Sequence, residues 1–485
     1  MSATEPGYRR MVLLVTCIGS MMAPLDSTIV SVSLPQIAQD LGMGFAEVIW
    51  VPTAYLVTLA VMILVMGRVS DIYGRKFIFM AGFGIFTLSS LLCSLALSGS
   101  ELILFRVLQG FGAACIGSTA TAIVTETYPP QERGKALGIN TMAVYVGLSL
   151  GPPLGAVLTH ALGWRSIFWV NVPIGMLALG LAYYQLRSVR PEAKKVRFDL
   201  WGLVLFSMTL VSLLVALTLG EEIGWGSTGI LALFAASAIG FALFVLTESR
   251  KGESALLDPH LFTRNRLFAA SNISAFLNYA SYFGVTFMIS FYLQRVLGLS
   301  ILETGAVLLI MPVTMAILSP ISGRLSDRLG SRALASGGMF IIALGLIWMS
   351  SLTVDSPLWH SESGLMLIGI GMGVFSSPNT SAVMGSVDRK KLGIASGTLA
   401  TMRFSGQATS LAVMGAIVAT VAGSASISGL FIGDPSSVII GAEDFVRGMD
   451  LAFLVSALIA VLGGITSLAR GRAAALEPPG RPNRL

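Results

Sequence analysis

The chain has 485 residues, of which 54% are hydrophobic and 12% charged, about half the charged share of a soluble domain. A mean hydropathy of +0.80, with apolar runs of about 20 residues, the length that crosses a hydrocarbon core, excludes a soluble globular protein. In so apolar a chain the net charge of +6 points to loops facing anionic lipid, not to nucleic acid.

Fourteen spanning helices are predicted, at 11–33, 48–66, 77–97, 102–124, 136–159, 166–186, 200–219, 229–247, 268–293, 303–321, 333–353, 363–384, 396–421 and 447–469. Arg9 and Arg10 precede the first run as in a signal peptide. No small-x-small cleavage site follows, so the run reads as a first spanning helix with a cytoplasmic start. With that start, 26 of the 31 Lys and Arg fall on the cytoplasmic side, and only Arg165, Arg295 and Arg447 fall outside. Arg106 and Arg403 lie within spans. This asymmetry fixes the expected orientation, with both termini in the cytoplasm of a cell-membrane protein.

The first span contains Asp26 in "MMAPLDSTIVSVSLP". A charge at mid-bilayer costs roughly 2.5–3.5 kcal/mol even on the mildest scale. Asp26 sits about 10 Å of helix rise from the outer end of its span, and Arg106 in "LILFRVLQGFGAA" about 6 Å from the outer end of the fourth. A lone arginine at that depth can snorkel to the interface. Two opposite charges at one depth in one half of the chain are more simply a pair, direct or water-mediated.

After the second span comes "GRVSDIYGRK", with Gly67, Asp71, Gly74 and Arg75; after the tenth comes "GRLSDRLGSR", with Gly323, Asp327 and Gly330. Glycines permit a tight two-helix turn. One such basic turn is common, but two at equivalent positions mark parallel six-helix copies. The expected domains are therefore 1–186, a linker and inserted helix pair at 187–266, 267–470, and a tail at 471–485. The fifth span repeats Gly147, Gly151 and Gly155 every four residues around Pro152 and Pro153. A small-residue stripe lets backbones pack closely and proline favours a kink, which reads as a bent seam between two moving bundles.

These segments resemble the major facilitator superfamily, specifically its fourteen-helix drug:proton antiporter family, over nearly the whole chain. "LDSTIVSVSLP" is similar to that family's first-helix signature, with Ser31 and Ser33 in place of asparagine and alanine. The two glycine-aspartate loops resemble the superfamily's loop motif, with Ile72 where arginine is common. "RVLQGFGAA" and "GLSLGPPLGA" resemble the fourth- and fifth-helix motifs, the latter with Ala156 in place of a second glycine. "WRSIFWVNVPIG", "FDLWG" and "YLQRVLGLS" resemble segments of the fourteen-helix branch. The resemblance implies an all-α fold of two six-helix bundles plus two inserted helices. It also implies that Asp26 titrates a proton tuned by Arg106, that Asp71 locks the cytoplasmic side when the outer side is open, and that the Gly147–Gly155 seam favours export.

A mid-membrane cavity between the halves is expected, lined by Tyr55, Gln109, Tyr145, Asn278, Tyr279, Tyr282 and Asn379; each taken alone is more simply a helix-packing or helix-helix hydrogen-bonding residue. Arg403 is a third buried charge with no evident acidic partner, suited to packing, gating or an anionic substrate group. The three cysteines and three histidines match no metal spacing or intramembrane relay, and no Gly-x-x-x-x-Gly-Lys-Ser/Thr loop is present. The expected function is proton-driven export of hydrophobic or amphipathic small molecules by a monomer without cofactor, its partners being substrate, protons and membrane lipid. Export or flipping of a lipid or lipid precursor, and proton-coupled import, are the alternatives.

Overall fold

The computed structural model describes residues 6–187, 199–251, 257, 259–387, 391–423 and 435–470. Residues 188–198 of the linker, the whole tail at 471–485, and residues 424–434 between the last two predicted spans lie outside the described residues. The first six-helix region comprises α1 (Pro6–Leu41), α2 (Phe45–Tyr73), α3 (Arg75–Leu95), α4 (Gly99–Thr127), α5 (Pro130–Leu162), a single turn α6 (Ser166–Trp169) and α7 (Asn171–Gln185). Then come α8 (Leu200–Ile223), α9 (Thr228–Lys251) and the short α10 (Pro259–Arg264). The second region holds α11 (Arg266–Phe291), which runs into a π-helical turn at Tyr292–Val296, then α12 (Ile301–Leu308) and α13 (Ile310–Leu329). It closes with α14 (Ser331–Met349), α15 (Leu358–Gly385), α16 (Leu392–Ala422) and α17 (Pro435–Leu468).

Among the described residues, twelve segments are long and apolar enough to cross a membrane. The long helices α11 and α15 fall short of that apolarity. They carry buried Ser271, Asn272, Ser274 and Asn278, and Ser361, Ser376 and Asn379, polar groups turned toward neighbouring helices. By contrast, α8 and α9 are the least buried spans, at 28% and 22% against 83% for α2. They pack on each other, and α8 packs on α2 and α16, leaving large apolar side chains such as Trp201, Leu231 and Phe241 outward. Asp199 caps α8 by accepting from Gly202 N at 2.7 Å and pairs with Lys251 at the end of α9. The inserted pair is thereby closed at one end.

The two glycine-aspartate turns adopt matching conformations. Gly74 (φ 97°) joins α2 to α3, and Gly330 (φ 81°) joins α13 to α14. Positive φ there is strained for any side chain, so Gly74→Ala is expected to cost about 1–3 kcal/mol and lower the melting temperature of the purified protein. Gly84→Ala is the control, since a Cβ there meets nothing within 4 Å; an equal loss would contradict the turn's role.

Each half has a distinct inner seam. In the first, α5 lies along α1. Cβ atoms added at Gly147, Gly151 and Gly155 would overlap Met21 O, the Thr28 hydroxyl and Ile29 O. The expected seam between two moving bundles is therefore corrected: these three glycines bind α5 to α1 of the same bundle. The stripe's edge does reach the other half, where a Cβ at Gly305 of α12 would strike Ala156. The last helix also begins earlier than expected, at Pro435 and not 447, so part of the expected 422–446 loop is helical.

α1 begins at what we term the near face and ends at the far face. The far face is closed between the halves. Gln294 in the π turn donates to Val32 O at 2.9 Å, and Arg295 donates to Pro35 O at 3.1 Å and Gln39 at 3.2 Å. The Phe45 and Phe287 rings meet 6.3 Å apart. Burial lowers the Arg295 pKa from its usual range. Arg295→Ala removes charged hydrogen bonds of roughly 1.5–3 kcal/mol each, enough to open this face about tenfold more often. The readout is alkylation of a Ser31→Cys probe with Cys17, Cys93 and Cys115 replaced by serine. An unchanged rate would show that the latch lies elsewhere.

Candidate functional site

Asp26 on α1 and Arg106 on α4 form a direct ion pair, and both side chains have 0% exposure. Burying two charges costs several kcal/mol per ion unless further hydrogen bonds satisfy them, and the surroundings supply these. Asp26 Oδ1 accepts from Gln109 Nε2 at 2.8 Å and from Asn171 Nδ2 at 2.9 Å. Arg106 donates through Nε to Val51 O at 3.1 Å and through Nη1 to Gln109 Oε1 at 2.6 Å. Its guanidinium lies 4.3 Å from the Tyr55 ring centroid and 5.7 Å from that of Phe168, faces that attract a cation. Gln109 is held in turn by Ser90 of α3 at 2.8 Å, and Tyr55 donates to Ala23 O at 3.0 Å.

Six elements, α1 to α4, α6 and α7, thus converge on one carboxylate. Two polar atoms in this shell, Arg106 Nη2 and Asn171 Oδ1, are buried without a hydrogen-bond partner. Such a shell suits a carboxylate paired with a guanidinium, and it ties the pair to the packing of the whole first bundle.

Beside this cluster a cavity lies between the two halves. Its walls come from α1, α2, α4, α5, α11, α15 and α16, including Ser20, Asn140, Tyr145, Asn379 and Arg403. With the far face latched, the cavity belongs to a state open toward the near face. Asp26 is not in its wall, although Ala23 and Pro24 one turn away are.

Of the residues expected to line the cavity, Tyr145, Tyr279 and Asn379 do. Tyr55 and Gln109 instead belong to the Asp26 shell. Asn278 faces Met339 Sδ at 3.1 Å inside the second half, and Tyr282 packs on Tyr279 with ring centroids 5.6 Å apart. In this state the expectation for those four is corrected, because helix rotation turns them to other inner surfaces. Asp71 pairs with Arg75, which also holds Glu126, each at 3.2 Å; this keeps it within its own half. Gly67 has open space, with Ser118 Cβ at 3.9 Å, while a Cβ at Gly323 would press the Ser377 hydroxyl at 2.7 Å. Asp327 lies outside the residues whose side chains are described.

Arg403 stands over the Phe404 ring at 4.5 Å and beside Tyr279. Arg470 is 1% exposed, and its hydrogen-bond partner is Asn379. Burial lowers its pKa to about 10, so it remains a cation at neutral pH. The sequence reading missed Asn171, Ser90, Phe168 and Arg470. Asn171 had a signal, a polar residue inside the apolar "WRSIFWVNVPIG".

The model of the Major Facilitator Superfamily matches residues 16–411. Riboflavin transporter RibZ of Clostridioides difficile (strain 630) is 35% identical over 392 residues, 81% of this chain and 84% of that protein. Multidrug resistance protein Stp of Mycobacterium tuberculosis (strain CDC 1551 / Oshkosh) is 34% identical, covering 84% and 75% of the two chains. The tetracenomycin C resistance and export protein of Streptomyces glaucescens is 32% identical over 85% and 76%. In fold, the chain resembles an inward-facing, unoccupied bacterial homologue of the human lysosomal transporter Spinster. The TM-score is 0.70 at 18% identity, over 97% of this chain and 100% of that one.

Proposed function

The chain belongs to the Major Facilitator Superfamily, and from that premise we propose that it is a proton-coupled exporter of hydrophobic or amphipathic small molecules. It is a multi-pass membrane transporter and not an enzyme. The observation that carries the reading is the Asp26–Arg106 pair, fully buried behind the wall of a cavity that lies between the halves. The names of relatives such as Stp and the tetracenomycin C export protein support drug-like substrates; that of RibZ widens the range to larger heterocycles.

In this reading the near face is cytoplasmic, which the 26 of 31 basic residues assigned to that side support. Counting α11 and α15, whose polar groups serve the interior, gives fourteen spans in the cell membrane, with α8 and α9 as the inserted pair. In the inward-open state substrate entering the cavity displaces the proton from Asp26, and the carboxylate is then held by Arg106. After the far face opens, Asp26 takes a proton from outside, Arg106 is released, and the cavity loses its hold on substrate. Return inward delivers the proton. Each proton entering contributes about 2.3 kcal/mol per 100 mV, enough to concentrate a neutral substrate roughly fiftyfold. Asp71 would dock across the near face only when that face closes, and the Pro152–Ala156 edge of α5 would slide on α12.

The test is dye transport in inverted vesicles carrying the protein. Uptake into the lumen driven by an acid interior, and collapsed by a protonophore, is the expected result. Uptake driven only in the opposite orientation would establish import.

A further inference from the structure

Taking the cavity as the substrate site, as the preceding reading does, its chemistry narrows the substrate class. Among the described residues, no Asp or Glu lines the cavity. Arg403 lines it, with Nε buried and unpartnered, and no described ion pair includes it. Arg470 lies behind Asn379 with Nε and Nη1 buried and unpartnered. Asn379 turns its carbonyl oxygen to Arg470, so the amide NH2 is the group it has left to offer.

The Arg470 guanidinium is buried and that of Arg403 partly buried, and cations so placed without a carboxylate are costly by themselves. An anion entering the cavity would offset that cost. The Tyr145 hydroxyl, hydrogen-bonded to Ser376, and that of Tyr279, beside Arg403 and Ser376, stand in the wall, and Phe375, Leu59 and Ile63 give the rest of it an apolar lining. We propose that the cavity selects an amphipathic organic anion, its charged group held by Arg403 and the Asn379 amide, with Arg470 supplying charge from behind.

The test uses a matched pair of probes, 8-anilinonaphthalene-1-sulfonate and the neutral N-phenyl-1-naphthylamine, which differ by one sulfonate. Binding is measured to the full chain in phosphatidylcholine nanodiscs, with empty nanodiscs as baseline. The sulfonate is expected to bind at least tenfold more tightly than the neutral probe. Arg403→Gln should erase the difference, and Arg403→Lys should retain part of it. Should Arg403→Gln fail to fold, Asn379→Asp, which puts a carboxylate against Arg470, should give the same loss. Equal affinities in the native protein, or a preference that survives in a folded Arg403→Gln, would overturn the proposal. Displacement by octanoate assigns the site to free organic acids, and displacement by dihexanoyl phosphatidylglycerol alone assigns the same anion site to a lipid headgroup. Failure here is separable from failure of the export reading. A protein that pumps cationic ethidium against a proton gradient without sulfonate preference keeps only the export reading. One that prefers the sulfonate yet moves nothing with protons keeps only the anion site.

Discussion

Asp26→Asn is expected to fold, bind substrate and equilibrate it, yet accumulate none under a proton gradient. Asparagine keeps the shape of the carboxylate and can still accept from Gln109 and Asn171, which approach Asp26 at 2.8 and 2.9 Å. It cannot titrate. Asp26→Asn leaves the buried guanidinium without its counter-charge and should lower the melting temperature; Arg106→Leu likewise strands a fully buried carboxylate and also takes the cation off the Tyr55 and Phe168 rings. Breaking one side of a buried pair costs about 3–5 kcal/mol, so Arg106→Leu should show low yield and a much reduced melting temperature. Joining the two changes removes the stranded charge and should recover stability but not coupled transport. Melting curves and gradient-driven uptake of the three variants separate the structural from the coupling role. A double variant as unstable as Arg106→Leu would show that Arg106 acts mainly by packing against Tyr55 and Phe168.

The second large effect is expected at the α1–α5 seam. At Gly147 and Gly155 an added Cβ would meet backbone oxygens of α1, Met21 O and Ile29 O, and backbone cannot rotate away as a side-chain end can. At Gly151 it would meet the Thr28 hydroxyl, with Ile29 N also at 2.9 Å. Gly147→Ala or Gly151→Val must therefore push α5 off α1. Overpacking of this kind costs about 1–3 kcal/mol or more. The displacement would also shift Asp26, which sits on α1 between Met21 and Thr28. Gly138 lies on the same helix with nothing within 4 Å of its Cβ position. Alanine there should be neutral or stabilising by up to about 1 kcal/mol through helix propensity. Transport and melting temperature should fall together for the seam variants and be retained for Gly138→Ala. Normal transport in Gly151→Val would contradict the close approach.

Those two predictions rest on features that the sequence exposed unequally. Asp26 and Arg106 were legible because an isolated charge in an apolar run is costly and needs a reason. The paired turns at Gly74 and Gly330 were legible because their ten-residue segments repeat. The seam was legible as a close approach but not as to its partner: four-residue spacing says that something small must face a helix, and only the fold identifies α1. Asn171 and Ser90 were harder to find, since neutral polar residues are common in spanning helices. Tyr55 and Gln109 illustrate the same limit. Their polarity places them inside, but a one-residue step turns a helix by 100°, and that decides between the charge cluster and the cavity wall. Arg470 was counted as part of the basic cytoplasmic surface, because nothing local reveals that the chain just past α17 folds inward onto Asn379.

The central claim is that Asp26 exchanges a proton with the bound state of the cavity. It is tested most directly by proton release from the purified protein in weakly buffered solution when a transported substrate is added. The native protein should release protons in proportion to occupied sites, and Asp26→Asn should release none while still binding. Equal release from both would contradict the account and move the coupling group away from the first helix.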